Sequence, residues 1–389
     1  MLIGEPIVVI GAGVAGLALA RALALRGAQV TVLEQAEAIR EVGAGLQVSP
    51  NGLRVLNALG LGESAARLGT EGRSVELVDG TGGGTVARLP LGSGPTAGMF
   101  RFFHRADLIE LLAAGAREAG VEIRLGVRVA ELRPGDRPTA ITTSGETIGA
   151  FMIAGADGIH SVVREALNGR TAPFFTHQVA WRAVIPSEAP VPPVARVFMG
   201  PGRHVVTYPL RGGRLRNIVA VEERRRWAEE SWSLTDDALA LRVAFEDFVP
   251  EVRGWLDRIE APNLWGLFRH EVASRWWGPG LAILGDAAHP MLPFLAQGAN
   301  MALEDAWVLA DCLSADPDRD AALASYQARR QSRARQVVDA ANANARNYHL
   351  SGIRREVGHL GLRILSRLAP NALLGRFDWL YGHDVTAAG

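Results

Sequence analysis

Lysine is absent from the 389 residues, so all 41 basic side chains are arginine. That absence excludes a P-loop nucleotide site, whose phosphate clamp needs a lysine, and pyridoxal phosphate chemistry, which needs a Schiff-base lysine. Cysteine is almost as scarce. The single Cys312 rules out an intramolecular disulfide, a cysteine-ligated iron-sulfur cluster and the usual structural zinc sites. No metal site is expected, and the chain fits a reducing, cytoplasmic setting. Cys312 falls in the apolar helical pattern of residues 302 to 313 and reads as a small core residue. Net charge is lacking too: 41 acidic residues balance the arginines, so no global field draws nucleic acid or an anionic membrane. The longest apolar run, residues 7 to 25, has Glu5 where a basic flank would stand, Arg21 within it and regularly spaced glycines. It reads as part of a globular fold and not as a signal peptide or membrane span. The remaining composition, 48% hydrophobic, suffices for two or three lobes with sizeable cores.

What is present begins with PIVVIGAGVAG at residues 6 to 16: a β-branched run followed by G-x-G-x-x-G at Gly11, Gly13 and Gly16. Glycines so spaced permit a tight turn, close approach of backbone to a pyrophosphate, and close packing of helix on strand. An apolar helix pattern follows, Gly27 closes it, and a second strand over Gln29 to Leu33 ends in the acid Glu34. An acid about 20 residues after the glycines is placed to accept hydrogen bonds from a ribose of an adenine dinucleotide. FAD and NAD both satisfy this pattern.

Two later stretches share one grammar. In GADGIHSVVR, residues 155 to 164, a short apolar strand runs into a glycine turn, and a helix starts near Ser161; Asp157 can fix the loop or approach a ligand. In GDAAHPMLPFLAQGANM, residues 285 to 301, a strand ends at Asp286, Pro290 and Pro293 forbid regular pairing, and Gly298 is expected to free the backbone before an apolar-faced helix from Ala299 to Leu313. Asp286 and His289 offer a metal two ligands without a nearby third, and no G-x-S-x-G elbow supplies a hydrolase nucleophile. The reading that survives is a helix start whose free amides face an anion.

Taken in order, GAGVAG, GADGIHSVVR and GDAAHPMLPFLAQGANMALEDA resemble the three FAD motifs of the single-component flavoprotein aromatic hydroxylases. The likeness extends to residues 40 to 61, to RFFHRADL at 101 to 108 and to WLYGHDV at 379 to 385. It implies Glu34 on the adenosine ribose, Arg105 near the flavin side chain and pyrophosphate, Asp286 on the ribitol, and the helix after Gln297 facing the flavin ring. Asp157 would hold a loop serving flavin and reductant. The further cofactor contacts so implied are Gly11, Gly13, Ala15, Gly16, Gln35, Val129, Pro293, Gly298, Ala299 and Asn300. His289 is a structural member of its loop.

Residues 172 to 272 change character, with tryptophans, prolines and alternating stretches that predict an antiparallel sheet, to which hairpin-like residues 73 to 98 contribute strands. In RHVVTYP, His204 and Tyr208 stand four apart, an even separation that puts both on one strand face. The surrounding segment is similar to the substrate-pocket strands of the salicylate, 3-hydroxybenzoate and 6-hydroxynicotinate hydroxylases, in which a His and a Tyr at this spacing contact substrate. His204 and Tyr208 are therefore the catalytic candidates, and Gln47, Arg182, Pro293 and Gln297 join them as substrate-binding candidates. Arg182, Arg203 and Arg214 are candidates for pairing a substrate carboxylate, with no choice among them. From Asp320 onward the chain reads as helix with a solvated basic face, and FDWLYGHDV folds back onto the body.

The expected fold is α/β: a Rossmann-like parallel-sheet FAD lobe from residues 1–72, 99–171 and 273–365, an inserted antiparallel substrate lobe from 73–98 and 172–272, and a C-terminal segment from 366–389. The resemblance implies a monooxygenase in which NADH or NADPH reduces FAD, O2 adds to give a flavin hydroperoxide, and a hydroxylated aromatic acid takes one oxygen atom. A monomer or homodimer acting on a small aromatic substrate is expected, with neither nucleic acid nor membrane as partner. A urate-like heterocycle or a polyketide is the alternative substrate, and a flavin-binding sensor the non-enzymatic alternative. Flavin halogenases carry W-x-W-x-I-P and an essential lysine; residues 181 to 186 read WRAVIP, so that reading falls.

Overall fold

The computed structural model describes residues 2–39, 44–91, 96–224, 236–369, 373 and 375–387. Residues 40–43 of the stretch compared at 40 to 61, 92–95 and 225–235 of the expected substrate lobe, and 370–372, 374 and 388–389 near the C-terminus lie outside them.

The apolar runs PIVVI, MIAG and LAI are each buried on both faces, as strands in the middle of a parallel sheet must be. They form the centre of a six-stranded sheet ordered Trp277–Gly278, Leu281–Ile283, Met152–Gly155, Pro6–Ile10, Gln29–Leu33, Glu122–Arg124. All neighbours run parallel except the edge pair Trp277–Gly278 with Leu281–Ile283. Helix Val14–Ala24 packs between this sheet and helix Gly298–Ala315; Leu17, Leu19 and Leu23 are fully buried there. The α/β fold class follows.

A second, seven-stranded sheet is ordered Asn263–Arg269, Phe174–Pro186, Leu215–Glu223, Arg203–Leu210, Val194–Gly200, Ser74–Asp79, Thr85–Pro90. Its pairs are antiparallel except Val194–Gly200 with Ser74–Asp79, which run parallel. Side chains alternate across a strand, so each strand serves both faces of the sheet. On one face Trp181, Phe198, Val205 and Ile218 pack under the helices Ala238–Ala244 and Pro250–Leu256, joined by Phe245, Phe248 and Leu256. The residues between them point the other way, towards the parallel-sheet lobe. Two three-stranded sheets complete the fold, one from Val129–Arg133, Thr139–Thr142 and Thr147–Gly149, the other from Gly45–Val48, Thr70–Glu71 and Arg101–His104.

The 30-residue helix Arg319–Tyr348 departs from the solvated basic face expected of it. Arg330 and Arg333 are 1% and 9% exposed, because Glu304 and Asp305 on the preceding helix are wholly buried and need partners. Arg330 bonds Asp305 at 2.8 Å and Glu304 at 2.5 Å, and Arg333 grips Glu304 through two nitrogens at 2.7 and 2.8 Å. Arg333 also donates to the carbonyls of Trp379 and Leu380, which holds the chain end against the body.

Candidate active site

The turn after the first strand shows why its glycines stand where they do. Gly11 has φ +103°, and a Cβ on it would lie 2.4 Å from the Ala156 carbonyl oxygen. A Cβ on Gly16 would lie 1.9 Å from the Gly11 carbonyl oxygen. Gly11 and Gly16 are therefore packing glycines. Gly13 differs: no described residue stands within 4 Å of its Cβ position, and it borders open space. Glu34 binds this turn, its Oε2 accepting from the Ala12 N–H at 2.8 Å and its Oε1 from the Ala36 N–H at 2.9 Å.

That space is a cavity of about 730 Å³ running from the glycine turn to the inward face of the seven-stranded sheet. At the near end its wall includes Gly13, Ala15, Arg105, Asp286 and the helix start Gly298 and Ala299. At the far end alternate strand residues such as Leu77, Val197, Val206 and Val221 make the wall apolar, and His204, Tyr208 and Arg182 are among its polar members. Gln47 and Pro293 line it between the ends.

The loop carrying Asp286 is pinned from behind. Asp305 accepts from the Gly285 N–H at 3.0 Å and bonds His289 Nε2 at 2.5 Å, with Arg330 on its other oxygen. Burial works against the charge of Asp305, but His289 and Arg330 together hold its pKa down to about 2. His289 is thus a structural member of the loop. The Asp286 carboxylate makes no hydrogen bond among the described residues and looks into the cavity. Desolvation there raises its pKa, opposed by the charges of His289 and Arg105.

The left-handed residues of this loop do not include Gly298; they are Gly285, at φ +59°, and Ala296, at φ +52°, the latter held between the 3-10 turn Pro293–Leu295 and the helix. Gly298 serves otherwise, since no described residue lies within 4 Å of its Cβ position where the helix start meets the cavity. Gln297 and Asn300, expected at the ligand, turn their side chains away. Gln297 bonds Ser49 Oγ and Asn51, and Asn300 bonds the Ser49 N–H and the carbonyls of Gln47 and Ala296, both fully buried. Only the Asn300 backbone amide remains at the helix start.

Val129 and Gln35 do not border the cavity either. Val129 packs into the core and pairs with Thr142, while Gln35 is exposed at the end of its strand. Asp157 holds its turn: its Oδ2 accepts from the Val162 N–H at 2.8 Å, and burial pushes its pKa up to about 6. Of the three arginines left open for a carboxylate, only Arg182 lines the cavity, stacked 4.2 Å over the Trp265 ring. Arg203 is spent on the Ala244 carbonyl and Asp247, and Arg214 bonds the Arg211 carbonyl.

His204 is fully buried between the rings of Phe294 and Tyr348, at 5.2 and 5.3 Å. Burial, reinforced by His349, lowers its pKa well below the usual imidazole value. Tyr208, beside Phe102, is pushed above the usual phenol range by burial. His349, Tyr348 and Arg376 were not anticipated; they reach this region from the distant C-terminal helices, and no local spacing marked them.

Residues 5–341 match the family model described as FAD binding domain. The chain is 38% identical over 392 residues to the 3-amino-4-hydroxybenzoate 2-monooxygenase of Streptomyces cremeus, covering 97% of this chain and 95% of that one. It is 33% identical to the 3-hydroxybenzoate 6-hydroxylase of Polaromonas naphthalenivorans, covering 98% and 96%. The chain belongs to the single-component FAD-dependent aromatic hydroxylases. Among solved structures, HpxO of Klebsiella pneumoniae complexed with FAD and uric acid matches this hydroxylase with a TM-score of 0.83 at 27% identity, over 95% and 96% of the two chains. The hydroxylase is a flavin-dependent monooxygenase. No described helix is long and apolar enough to cross a membrane, and no described group of three or more His, Cys, Asp or Glu side chains is arranged for a metal.

Its residues fit FAD on two structural grounds. Gly13 leaves room for a pyrophosphate against bare backbone, and Asp286 offers a carboxylate unbonded among the described residues, suited to hydroxyl donors such as those of a ribitol chain.

Proposed function

We propose that this hydroxylase uses NADH or NADPH and O2 to hydroxylate a hydroxylated aromatic acid of the hydroxybenzoate or hydroxynicotinate type. The observation that carries the reading is the single cavity joining the glycine turn and Asp286 to an apolar sheet face that bears His204, Tyr208 and Arg182. Gly13, Arg105, Asp286 and the amides opening helix Gly298–Ala315 would hold FAD; Glu34 would meet its ribose from beside the turn. FAD, when bound, supplies the redox chemistry that brings reducing equivalents and oxygen together.

The chain's own groups bind, orient and exclude water. Aliphatic side chains from alternate strand positions grip the ring. Arg182 pairs its carboxylate, a task for which a guanidinium fork is shaped and for which this chain has no lysine. His204, held neutral by burial, accepts the proton of the ring hydroxyl at Nε2, raising electron density in the ring. Tyr208, held protonated, stays a hydrogen-bond donor.

A panel of 3-amino-4-hydroxybenzoate, 3-hydroxybenzoate, salicylate, 6-hydroxynicotinate and urate tests the substrate class through stimulated NADH or NADPH oxidation and product mass. An aromatic acid giving a product one oxygen atom heavier, or one in which hydroxyl replaces carboxyl, supports the reading. Stimulation by urate alone would move the substrate to the heterocycles.

A further inference from the structure

Behind His204 the structure holds two titratable side chains that the proposed reaction has not yet used, and with His204 they form a chain of three. His204 Nδ1 lies 2.7 Å from His349 Nε2, and His349 Nδ1 lies 2.7 Å from Glu223 Oε1. His204 is fully buried at the cavity wall, the His349 side chain is 3% exposed, and that of Glu223 is 52% exposed. Two imidazoles and a carboxylate thus span the distance from cavity to solvent. The backbone fixes the arrangement: the turn residue Gly202 donates to the His349 carbonyl, and Glu223 N–H donates to the Gly202 carbonyl at 2.9 Å. Nitrogens 2.7 Å apart share a hydrogen and leave no room for an ion between them.

The polarity of this chain follows from its outer end. An ionised carboxylate only accepts, so Glu223 requires the proton of His349 on Nδ1. His349 Nε2 is then a lone pair, which requires the proton of His204 on Nδ1. His204 Nε2 is left as a lone pair, and it is the ring atom that is buried without a hydrogen-bond partner among the described residues.

We propose that Glu223 and His349 form a proton wire that fixes His204 as the Nδ1–H tautomer and carries the substrate's hydroxyl proton from the cavity to solvent. The proposal rests on the reading of His204 as the group that takes that proton. In the transfer the substrate O–H bond breaks and an N–H bond forms at His204 Nε2. The Nδ1 proton of His204 passes to His349 Nε2, and the Nδ1 proton of His349 passes to Glu223, which releases it to water. Both imidazoles begin and end neutral with their tautomers exchanged, and the one charge left in the buried site is the oxyanion of the substrate itself. Burial lowers the pKa of both rings, which suits a wire of neutral tautomers. His349 and Glu223 touch no substrate and are positioning residues.

The test uses FAD-loaded enzyme labelled with nitrogen-15 histidine, with ring resonances assigned through His204→Asn and His349→Gln. Both rings should be neutral with the proton on Nδ1, and Glu223→Leu, which leaves no acceptor at a half-exposed position, should abolish that fixed tautomer. A wild-type proton on Nε2 of either ring, or an unchanged spectrum in Glu223→Leu, overturns the wire. With 3-amino-4-hydroxybenzoate and 3-hydroxybenzoate as probes, Glu223→Gln and His349→Ala should lower kcat about tenfold with KM within about twofold, and added imidazole should rescue His349→Ala. Full turnover in both variants while His204→Asn is inactive would remove the wire and leave His204 as the base. Full turnover in His204→Asn would instead remove the base.

Discussion

Two glycines of one turn should fail in opposite ways when each is replaced by alanine. At Gly16 the new methyl would stand 1.9 Å from the Gly11 carbonyl oxygen and 3.3 Å from the Ala156 side chain. No rotamer relieves that contact, because a Cβ has none, so strand and helix must separate. Overpacking of this kind costs about 1–3 kcal/mol and more where backbone is struck, against a helix-propensity gain of about 1 kcal/mol for alanine over glycine. The apoprotein should be destabilised by roughly 2 kcal/mol or more. At Gly13 the backbone is extended, with φ −79° and ψ −173°, a conformation alanine adopts freely, and the methyl meets no described residue within 4 Å. Apoprotein stability should hold to within about 1 kcal/mol. The methyl would occupy the space proposed for the pyrophosphate, and losing one charge-assisted hydrogen bond to it removes about 1.5–3 kcal/mol, or about ten- to a hundredfold in Kd. Urea denaturation of the apoproteins and titration with FAD by fluorescence quenching separate the two quantities. Gly13→Ala binding FAD like the wild type, or unfolding as readily as Gly16→Ala, would refute the assignment of these roles.

Four other substitutions probe the site and its support. Asp286→Ala should weaken FAD binding about tenfold in the same titration, with apoprotein stability preserved because the carboxylate makes no hydrogen bond among the described residues. Arg182→Gln should raise KM for a hydroxybenzoate by at least about tenfold, with little effect on binding of the matching uncharged phenol; equal losses for both would place the carboxylate elsewhere. Arg330→Met, which strips a cation from the fully buried Glu304 and Asp305, should cost roughly 3–5 kcal/mol in denaturant unfolding. Because Asp305 has its folded pKa lowered to about 2, below the unfolded carboxylate value, its contribution to stability is present above about pH 4 and lost as pH falls towards 2. Asp305→Asn should therefore flatten that part of the acid denaturation profile.

The parts legible in the sequence are those governed by local rules. Gly11, Gly13 and Gly16 announce their turn because backbone conformation and close approach are properties of a few consecutive residues. The even spacing of His204 and Tyr208 placed both at the cavity because side chains alternate along a strand wherever the sheet lies. Reasoning from residue type failed where neighbours from afar decided the outcome. Ala296 takes the left-handed conformation that glycine would ordinarily take, because the loop is held at both ends. Arg330 and Arg333 read as a solvated face because their carboxylates sit 26 and 29 residues earlier, across a helix hairpin that composition does not reveal. His349 and Glu223 stand 145 residues from His204 and 126 from His349, respectively, and no spacing rule joins them. Gln297 and Asn300 occupy the expected loop, yet buried partners at Ser49 and Gln47 claim their side chains.

The central claim is that one cavity brings FAD and an aromatic acid together so that oxygen enters the ring. Its most direct test supplies purified FAD-loaded enzyme with NADH or NADPH, isotopically labelled oxygen gas and 3-amino-4-hydroxybenzoate or 3-hydroxybenzoate, and weighs the product. The account predicts acid-stimulated oxidation of the nicotinamide and one labelled oxygen atom in the new hydroxyl. Stimulated oxidation that yields only hydrogen peroxide with every acid of the panel, or a product whose new oxygen comes from water, would contradict it.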